Sequence, residues 1–115
     1  MTTTTASVST HILDTSLGRP AQGVTVRLSA RTGSGADWQP LGEGTTDADG
    51  RCRDLPTPPE GTARVRLDFA VEPYLGERGD AFFPEVTVTF AVRAGEHYHV
   101  PLLLSPFGYS VYRGS

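Results

Sequence analysis

Alternation of apolar and polar residues is the clearest pattern along this chain, and its period of two is the period of a β-strand. The segments that show it are residues 7–13, 24–30, 63–69 and 86–92. In the first of them Val8, Thr10 and Ile12 would share one face, and Ser9, His11 and Leu13 the other. Each segment is therefore predicted to be a half-buried strand with one face on a core.

Turn residues separate these segments and mark shorter elements between them. Asp47 to Gly50 is a strong turn signal, because Asp accepts local backbone hydrogen bonds and Gly supplies a positive φ. Gly18-Arg19-Pro20 is a second predicted turn. Further short strands are expected to begin at residues 38–41 and at Arg51, and to form at 97–104 and 108–112, with one or two helical turns at 72–78. About eight strands with one short helix predict an all-β, antiparallel β-sandwich.

The composition agrees with one small, turn-rich domain. The chain has 115 residues, 37% of them hydrophobic, with 13 Gly and 9 Pro. We expect a flexible N-terminus over residues 1–6 and a single sandwich domain over 7–115. A net charge of −3 provides no broad basic surface for nucleic acid or anionic membranes. Without an apolar run of about 20 residues or a secretory signal, and with Cys52 as the single cysteine, the expected location is cytoplasmic.

The histidines are the first candidates for chemistry. Of the three, His97 and His99 are two residues apart on one predicted strand, so both rings point to the same side. With His11 they could form a three-histidine zinc site. They could equally be solvated strand residues. A third interpretation is acid–base catalysis without metal, because an imidazole exchanges protons near neutral pH. Spacing alone leaves all three open.

Three other polar residues could complete a catalytic site. Arg51 would supply a fixed positive charge for an oxyanion, and the hydroxyls of Tyr112 and Ser115 would supply hydrogen bonds. The alternatives are structural: Arg51 could be a solvated residue after a turn, and Tyr112 a sandwich residue with its hydroxyl at the rim. Periodicity does not choose between them.

Other kinds of site find less support in the sequence. Cys52 stands in no motif and is better explained as a buried thiol than as a nucleophile. Asp47 and Asp49 lack the spacing and the distal Glu of an EF-hand, so a turn explains them better than calcium. There is no phosphate-binding loop and no Gly-x-Ser-x-Gly elbow, which argues against nucleotide-binding proteins and serine hydrolases.

Three stretches closely resemble one enzyme family. These stretches are Ser9-Thr10-His11-Ile12-Leu13-Asp14, Thr46-Asp47-Ala48-Asp49-Gly50-Arg51, and the run from His97-Tyr98-His99-Val100-Pro101 to the terminal Tyr112-Arg113-Gly114-Ser115. They resemble the 5-hydroxyisourate hydrolases, the transthyretin-related enzymes of purine breakdown. The likeness extends over nearly the whole chain beyond the first few residues, and the terminal Tyr-Arg-Gly-Ser is the distinguishing signature of that family.

The resemblance implies a transthyretin-like sandwich assembled as a homotetramer, a dimer of dimers, that opens the ring amide of 5-hydroxyisourate without a metal or an organic cofactor. Carried over by motif, the catalytic residues are His11, Arg51, His99 and Ser115. The implied substrate-binding residues are His11, Arg51, Tyr112, Arg113 and Gly114. The motif matches His97 as well but gives it no defined role.

Two functions other than catalysis fit the same sandwich. Transthyretin itself carries a hydrophobic hormone, but a carrier channel favours small apolar residues over His11, Arg51 and His99. A plain interaction module would explain the turn at Asp47 to Gly50 but would leave the terminal tetrapeptide without a purpose. A polar, titratable pocket favours the enzyme.

Overall fold

The computed structural model describes residues 5–33, 35–76 and 81–115. In chain order the elements are β1 (Ser7–Asp14), β2 (Arg19–Pro20), β3 (Thr25–Arg31), β4 (Gln39–Thr45), β5 (Arg51–Cys52), β6 (Arg64–Ala70), α1 (Glu72–Leu75), β7 (Val86–Ala91), β8 (His97–Ser105) and β9 (Gly108–Val111). The predicted all-β class with one short helix is confirmed.

The strands form two sheets that enclose one core. One sheet has the order β2-β1-β8-β9, with β5 also paired to β1, and the other has the order β4-β3-β6-β7. The largest fully buried side chains come from both sheets and from α1: Phe69, Ile12, Leu28, Leu67, Leu75, Leu102 and Leu104. Burial of these apolar side chains is the main contribution that holds the sheets face to face.

The faces predicted from alternation are confirmed. In β1, Val8, Thr10 and Ile12 are buried, and in β3 the buried set includes Val26 and Leu28. Thr10 is polar, and its buried hydroxyl donates a hydrogen bond to the carbonyl of Val100 at 2.6 Å. The other face of β1, which carries Ser9 and His11, is therefore turned away from the core.

Among the described residues, one strand pair departs from the antiparallel expectation. β1 and β8 run parallel, from Ser7 opposite His97 to Asp14 opposite Leu104. The other pairings between described strands are antiparallel. Parallel neighbours need a long connection, and here the second sheet is built within it. This pairing brings residues about 90 positions apart to one surface.

One predicted turn was wrong. Residues 19 and 20 were expected in a turn, but Gly18 reverses the chain with φ 69° and returns them alongside Leu13 and Asp14 as β2. The strand expected to begin within 38–41 begins at Gln39 and continues to Thr45. Pro40 is accommodated because β4 lies at a sheet edge and its register with β3 shifts there.

The ends of two other predicted segments fall partly outside the described residues. α1 ends at Leu75, and residues 77 and 78 of the helix expected at 72–78 lie outside the described residues. Of the N-terminal segment 1–6, residues 5 and 6 are described. Ala6 is buried in the core, and the carbonyl of Thr5 accepts a hydrogen bond from Gly95, so ordered packing begins before β1. Within the described ranges, no helix has the length and apolar character needed to cross a bilayer.

Candidate active site

The outward face of the sheet formed by β1, β5 and β8 gathers several of the predicted polar residues. Ser9 lies opposite His99 in the parallel pair, and His11 lies opposite Arg51 in the antiparallel pair. Residues opposite each other in a ladder share a face, so His11, Arg51 and His99 converge on one surface. The structure thus brings together three of the four predicted catalytic residues.

A tight turn holds Arg51 beside β1. The carboxylate of Asp47 accepts the backbone N–H groups of Asp49 at 2.9 Å and Arg51 at 3.1 Å. The N–H of Arg51 contributes most to holding the pKa of Asp47 below its ordinary value. The guanidinium of Arg53 also lowers this pKa, whereas desolvation raises it. At Gly50 φ is 77°, and a Cβ would lie 2.4 Å from the carbonyl oxygen of Ile12. Only glycine fits this approach to β1.

His11 is oriented by the same turn. Its Nε2 is hydrogen-bonded to the backbone carbonyl of Asp49 at 2.8 Å. A carbonyl oxygen only accepts, so Nε2 carries the proton and Nδ1 is the nitrogen left for other contacts. The turn that places Arg51 therefore also fixes the tautomer of His11.

His99 is half-buried and held from two sides. Its Nδ1 is hydrogen-bonded to the Ser9 hydroxyl at 2.8 Å. From the other side, the backbone N–H of Gly114 donates to its carbonyl at 2.7 Å. A Cβ at position 114 would lie 2.7 Å from Cδ2 of the ring. These contacts leave Nε2 as the nitrogen without a hydrogen bond in the described part of the chain.

Burial and neighbouring positive charge favour the neutral form of His99. Desolvation is the largest cause, followed by Arg51, His11 and His97, and together they hold the pKa of His99 below its ordinary value. A neutral imidazole at neutral pH is the form that can accept a proton. The surroundings of His99 therefore favour the form of the ring that can accept a proton.

The remaining predicted site residues lie beyond this cluster. Arg113 points to the opposite side of β8, where its guanidinium lies 4.5 Å from the centre of the Tyr98 ring and 3.7 Å from Glu96. Within this chain its guanidinium does not join His11, Arg51 and His99, and its role in substrate binding stays a prediction. Tyr112 is 55% exposed and borders the same apolar cleft as Arg113. Ser115 follows Gly114 and is exposed.

The geometry gives little support to a metal site or to a nucleophilic Cys52, whereas His97 is exposed, as a solvated strand residue would be. Among residues 5–33, 35–76 and 81–115, no three or more His, Cys, Asp or Glu side chains are grouped as metal ligands would be. His11 is turned to Asp49, while Nε2 of His97 is bonded to Ser9. Asp47 caps its own turn. Burial raises the pKa of the Cys52 thiol to about 11, which suits a structural thiol.

Sequence reasoning missed Ser9, which contacts both His97 and His99 through one hydroxyl. Its place on the His11 face of β1 was readable from the alternation. Its contact with β8 was not, because that contact depends on which strands pair and in which direction.

Comparison with known proteins identifies the family. A model of the HIUase/Transthyretin family matches residues 8–114. The chain belongs to this family. A relative named 5-hydroxyisourate hydrolase, from Mus musculus, is 43% identical over 120 aligned residues that cover 100% of both chains. The family expected from the sequence motifs is confirmed.

Solved structures agree with this assignment. The structure of Klebsiella pneumoniae 5-hydroxyisourate hydrolase matches with a TM-score of 0.76 and 34% identity, covering 96% of this chain and 94% of that one. Sea bream transthyretin in complex with thyroxine matches with a TM-score of 0.80 and 28% identity, covering 93% of each chain. The transthyretin-like sandwich thus serves both an enzyme and a hormone-binding protein.

Proposed function

We propose that this protein is a 5-hydroxyisourate hydrolase of urate degradation, which opens the ring amide of its substrate to give 2-oxo-4-hydroxy-4-carboxy-5-ureidoimidazoline. The observation that carries the proposal is the convergence of His11, Arg51 and His99 on one sheet face. A base, a fixed positive charge and an oriented second imidazole are groups that can catalyse amide hydrolysis. The hydrolase relatives support the substrate.

His99 is the proposed general base. Its lowered pKa keeps the ring neutral near pH 7, and Nε2 is the nitrogen free to take a proton from water. The resulting hydroxide attacks the six-membered-ring carbonyl next to the ring nitrogen. As the carbon–nitrogen bond breaks, the nitrogen takes back a proton and the carbonyl carbon becomes a carboxyl group of the ring-opened product, which is ionised near neutral pH.

The neighbouring residues stabilise and orient the reacting groups. The guanidinium of Arg51 has no ion pair within the described residues, so it can face the developing oxyanion. His11 presents Nδ1 because Nε2 is held by Asp49. Tyr112 and Ser115 are assigned to binding of the planar, oxygen-rich ring on the family motif alone, because within one chain both lie beyond the cluster of His11, Arg51 and His99. Gly114 keeps that segment against His99.

Mixing the protein with freshly generated 5-hydroxyisourate and following ultraviolet absorbance tests the assignment. We expect decay much faster than the spontaneous reaction. His99→Ala should lower turnover by about 10² to 10⁴, as loss of a general acid–base group does. Thr89→Ala, an exposed change on the other sheet, is the control. If the unmodified protein did not accelerate the decay, the proposed hydrolase activity would be refuted.

The hormone-carrier alternative has the fold but not the surface chemistry. The sea bream relative binds thyroxine. In this chain the outward face of β1, β5 and β8 carries His11, Arg51 and His99, and such ionisable groups are costly to cover with an apolar ligand. The face is better matched to a polar, heteroatom-rich ring.

We further propose a homotetramer built as a dimer of dimers. Within the described strands, β7 pairs only with β6 and β9 only with β8, which leaves each with a free backbone edge. Between these edges lies a cleft of about 220 Å³ whose lining includes Val88, Phe90 and Val111. A second copy would pair the edges and cover these half-buried apolar side chains.

Sedimentation tests the assembly. We expect a species of four chains. Phe90→Glu should reduce the assembly, because it places a charge in the cleft, whereas Thr89→Glu on the opposite face of β7 should not. A monomer for the unmodified protein would overturn the proposal. The proposed location remains cytoplasmic, consistent with the free, buried thiol of Cys52, and cell fractionation would test it.

A further inference from the structure

A continuous line of hydrogen bonds runs along the outer face of β1 and β8, from His99 towards solvent. Nδ1 of His99 is 2.8 Å from the Ser9 hydroxyl, which is 2.9 Å from Nε2 of His97. Nδ1 of His97 is in turn 2.6 Å from the hydroxyl of Ser7. His99 is half-buried, whereas His97 and Ser7 are exposed. The line connects the proposed base to bulk water.

The hydroxyl of Ser9 restricts how protons can be arranged along this line. It has one hydrogen to donate and contacts two ring nitrogens, so a continuous chain requires it to donate to one ring and accept from the other. If His99 donates from Nδ1, Ser9 donates to Nε2 of His97, and Nδ1 of His97 is protonated. If Ser9 donates to His99, both rings carry the proton on Nε2. The two rings then always share the same tautomer.

Positive charges around His99 give a reason for its proton transfers to be coupled to those of His97. Arg51 on β5, His11 on β1 and His97 on β8 all face its ring, and each disfavours a positive imidazolium. Arg113, in the segment after β9, is turned away to Tyr98. A base that becomes cationic beside Arg51 is electrostatically costly. A base that passes on one proton while it accepts another avoids that cost.

We propose that Ser9 and His97 form a proton relay that lets His99 act as base and then as acid while its ring stays neutral. The inference rests on the proposed hydrolase function and deepens it. Ser9 and His97 are positioning residues that act through His99, and they do not touch substrate.

In the base step the protons move outward. Water gives a proton to Nε2 of His99 as its oxygen bonds to the carbonyl carbon. The proton on Nδ1 of His99 passes to Ser9 while the Ser9 hydrogen passes to Nε2 of His97. The proton on Nδ1 of His97 passes to Ser7, which releases one to solvent. Both rings end in the Nε2-protonated form.

In the acid step the same movements run inward. Nε2 of His99 gives its proton to the leaving nitrogen as the carbon–nitrogen bond breaks, and one proton enters at Ser7. The relay returns to its starting arrangement with no net proton transferred through it. The proton of the new carboxyl group leaves separately, by ionisation.

The arrangement of protons can be tested without substrate. Nitrogen-15 NMR of labelled histidine reports which ring nitrogen is protonated. Above the imidazole titration we expect His97 and His99 in the same tautomer, and Ser9→Ala should uncouple them whereas Ser9→Thr should not. Opposite tautomers in the unmodified protein, with both rings donating to Ser9, would overturn the relay.

Kinetics test whether the relay operates in turnover. Ser9→Ala and His97→Gln should each lower kcat by about 10- to 100-fold, a part of the full acid–base contribution, with little change in KM. Ser9→Thr should restore the rate. The control Thr89→Ala removes a hydroxyl from an exposed strand position elsewhere.

Isotope measurements distinguish a relay from simple loss of structure. In mixtures of light and heavy water, the rate of the unmodified enzyme should vary with a curvature that indicates several protons in flight. For Ser9→Ala the dependence should become linear, and added imidazole buffer should partly restore turnover. An unchanged kcat and isotope dependence in Ser9→Ala would refute the relay. Lack of any catalysis by the unmodified protein would instead refute the hydrolase, while the NMR result would still decide the proton arrangement.

Discussion

Gly114 lies directly against His99: its N–H donates to the His99 carbonyl at 2.7 Å, and a side chain at 114 would meet the imidazole ring at 2.7 Å. The terminal segment thus sets where the ring of the proposed base can lie. Glycine is needed at position 114 because a side chain would collide with the His99 ring. The backbone there does not itself require glycine, because its φ is not positive.

Gly114→Ala should therefore displace the His99 ring. Misplacement of a reacting group by about 1 Å can cost roughly 10²-fold in rate, so we expect a loss of kcat of that order. The steady-state assay measures it. Gly76→Ala is the matched control, because a Cβ there meets nothing within 4 Å. Equal activity of the two variants would contradict the close contact.

Removal of Arg51 should raise the pKa of His99. The guanidinium disfavours the imidazolium, so Arg51→Met stabilises the protonated ring and shifts its titration to higher pH. The acidic limb of kcat/KM should move in the same direction, and the rate should fall because the oxyanion loses its partner. An NMR titration of His99 measures the shift. Arg53→Met, two residues along, should leave it nearly unchanged.

Deletion of residues 112–115 should abolish ring opening and preserve the sandwich. β9 ends at Val111, and the buried core residues lie upstream. The deletion removes the contact of Gly114 with His99 and the stacking of Arg113 on Tyr98. Both contacts are peripheral to the core. Circular dichroism and the absorbance assay together measure the outcome. An unfolded product would mean that the segment is structural.

Asp14 should be important for stability. Its fully buried carboxylate accepts hydrogen bonds from the Tyr74 hydroxyl at 2.7 Å and from the backbone of Ser16 and Leu17. Asp14→Ala removes these hydrogen bonds to a buried, charged acceptor, at a cost of about 1.5–3 kcal/mol. Chemical denaturation measures the free energy of unfolding. Asp37→Ala, at an exposed loop position, should change it little.

Local chemistry made much of the fold predictable. Alternation identified the inward faces of β1, β3 and β6 because a half-buried strand must place every second side chain on the core. The turn before Arg51 was predictable because Asp47 and Gly50 have specific backbone roles. β2 was not, since two residues carry no periodicity and its pairing depends on how Gly18 reverses the chain.

The candidate site could be predicted from the sequence only in part, because its contacts also depend on which strands pair. Periodicity placed His97 and His99 on one side of a strand but left metal binding, solvation and catalysis open. The family motifs selected His11, Arg51 and His99. The role of Ser9 and the placement of Arg113 on the Tyr98 side of β8 required the tertiary structure, because the alternation pattern does not specify either contact.

The parallel pairing of β1 with β8 also constrains how the protein folds. Ser9 and His99 are 90 residues apart, so their contact closes a very long loop. Such closure is entropically costly and slows folding. During synthesis, the edge of β1 that pairs with β8 stays unpaired until β8 has been made. The proposed catalytic surface therefore forms late, and an incompletely synthesised chain would expose an unpaired strand edge in place of an active site.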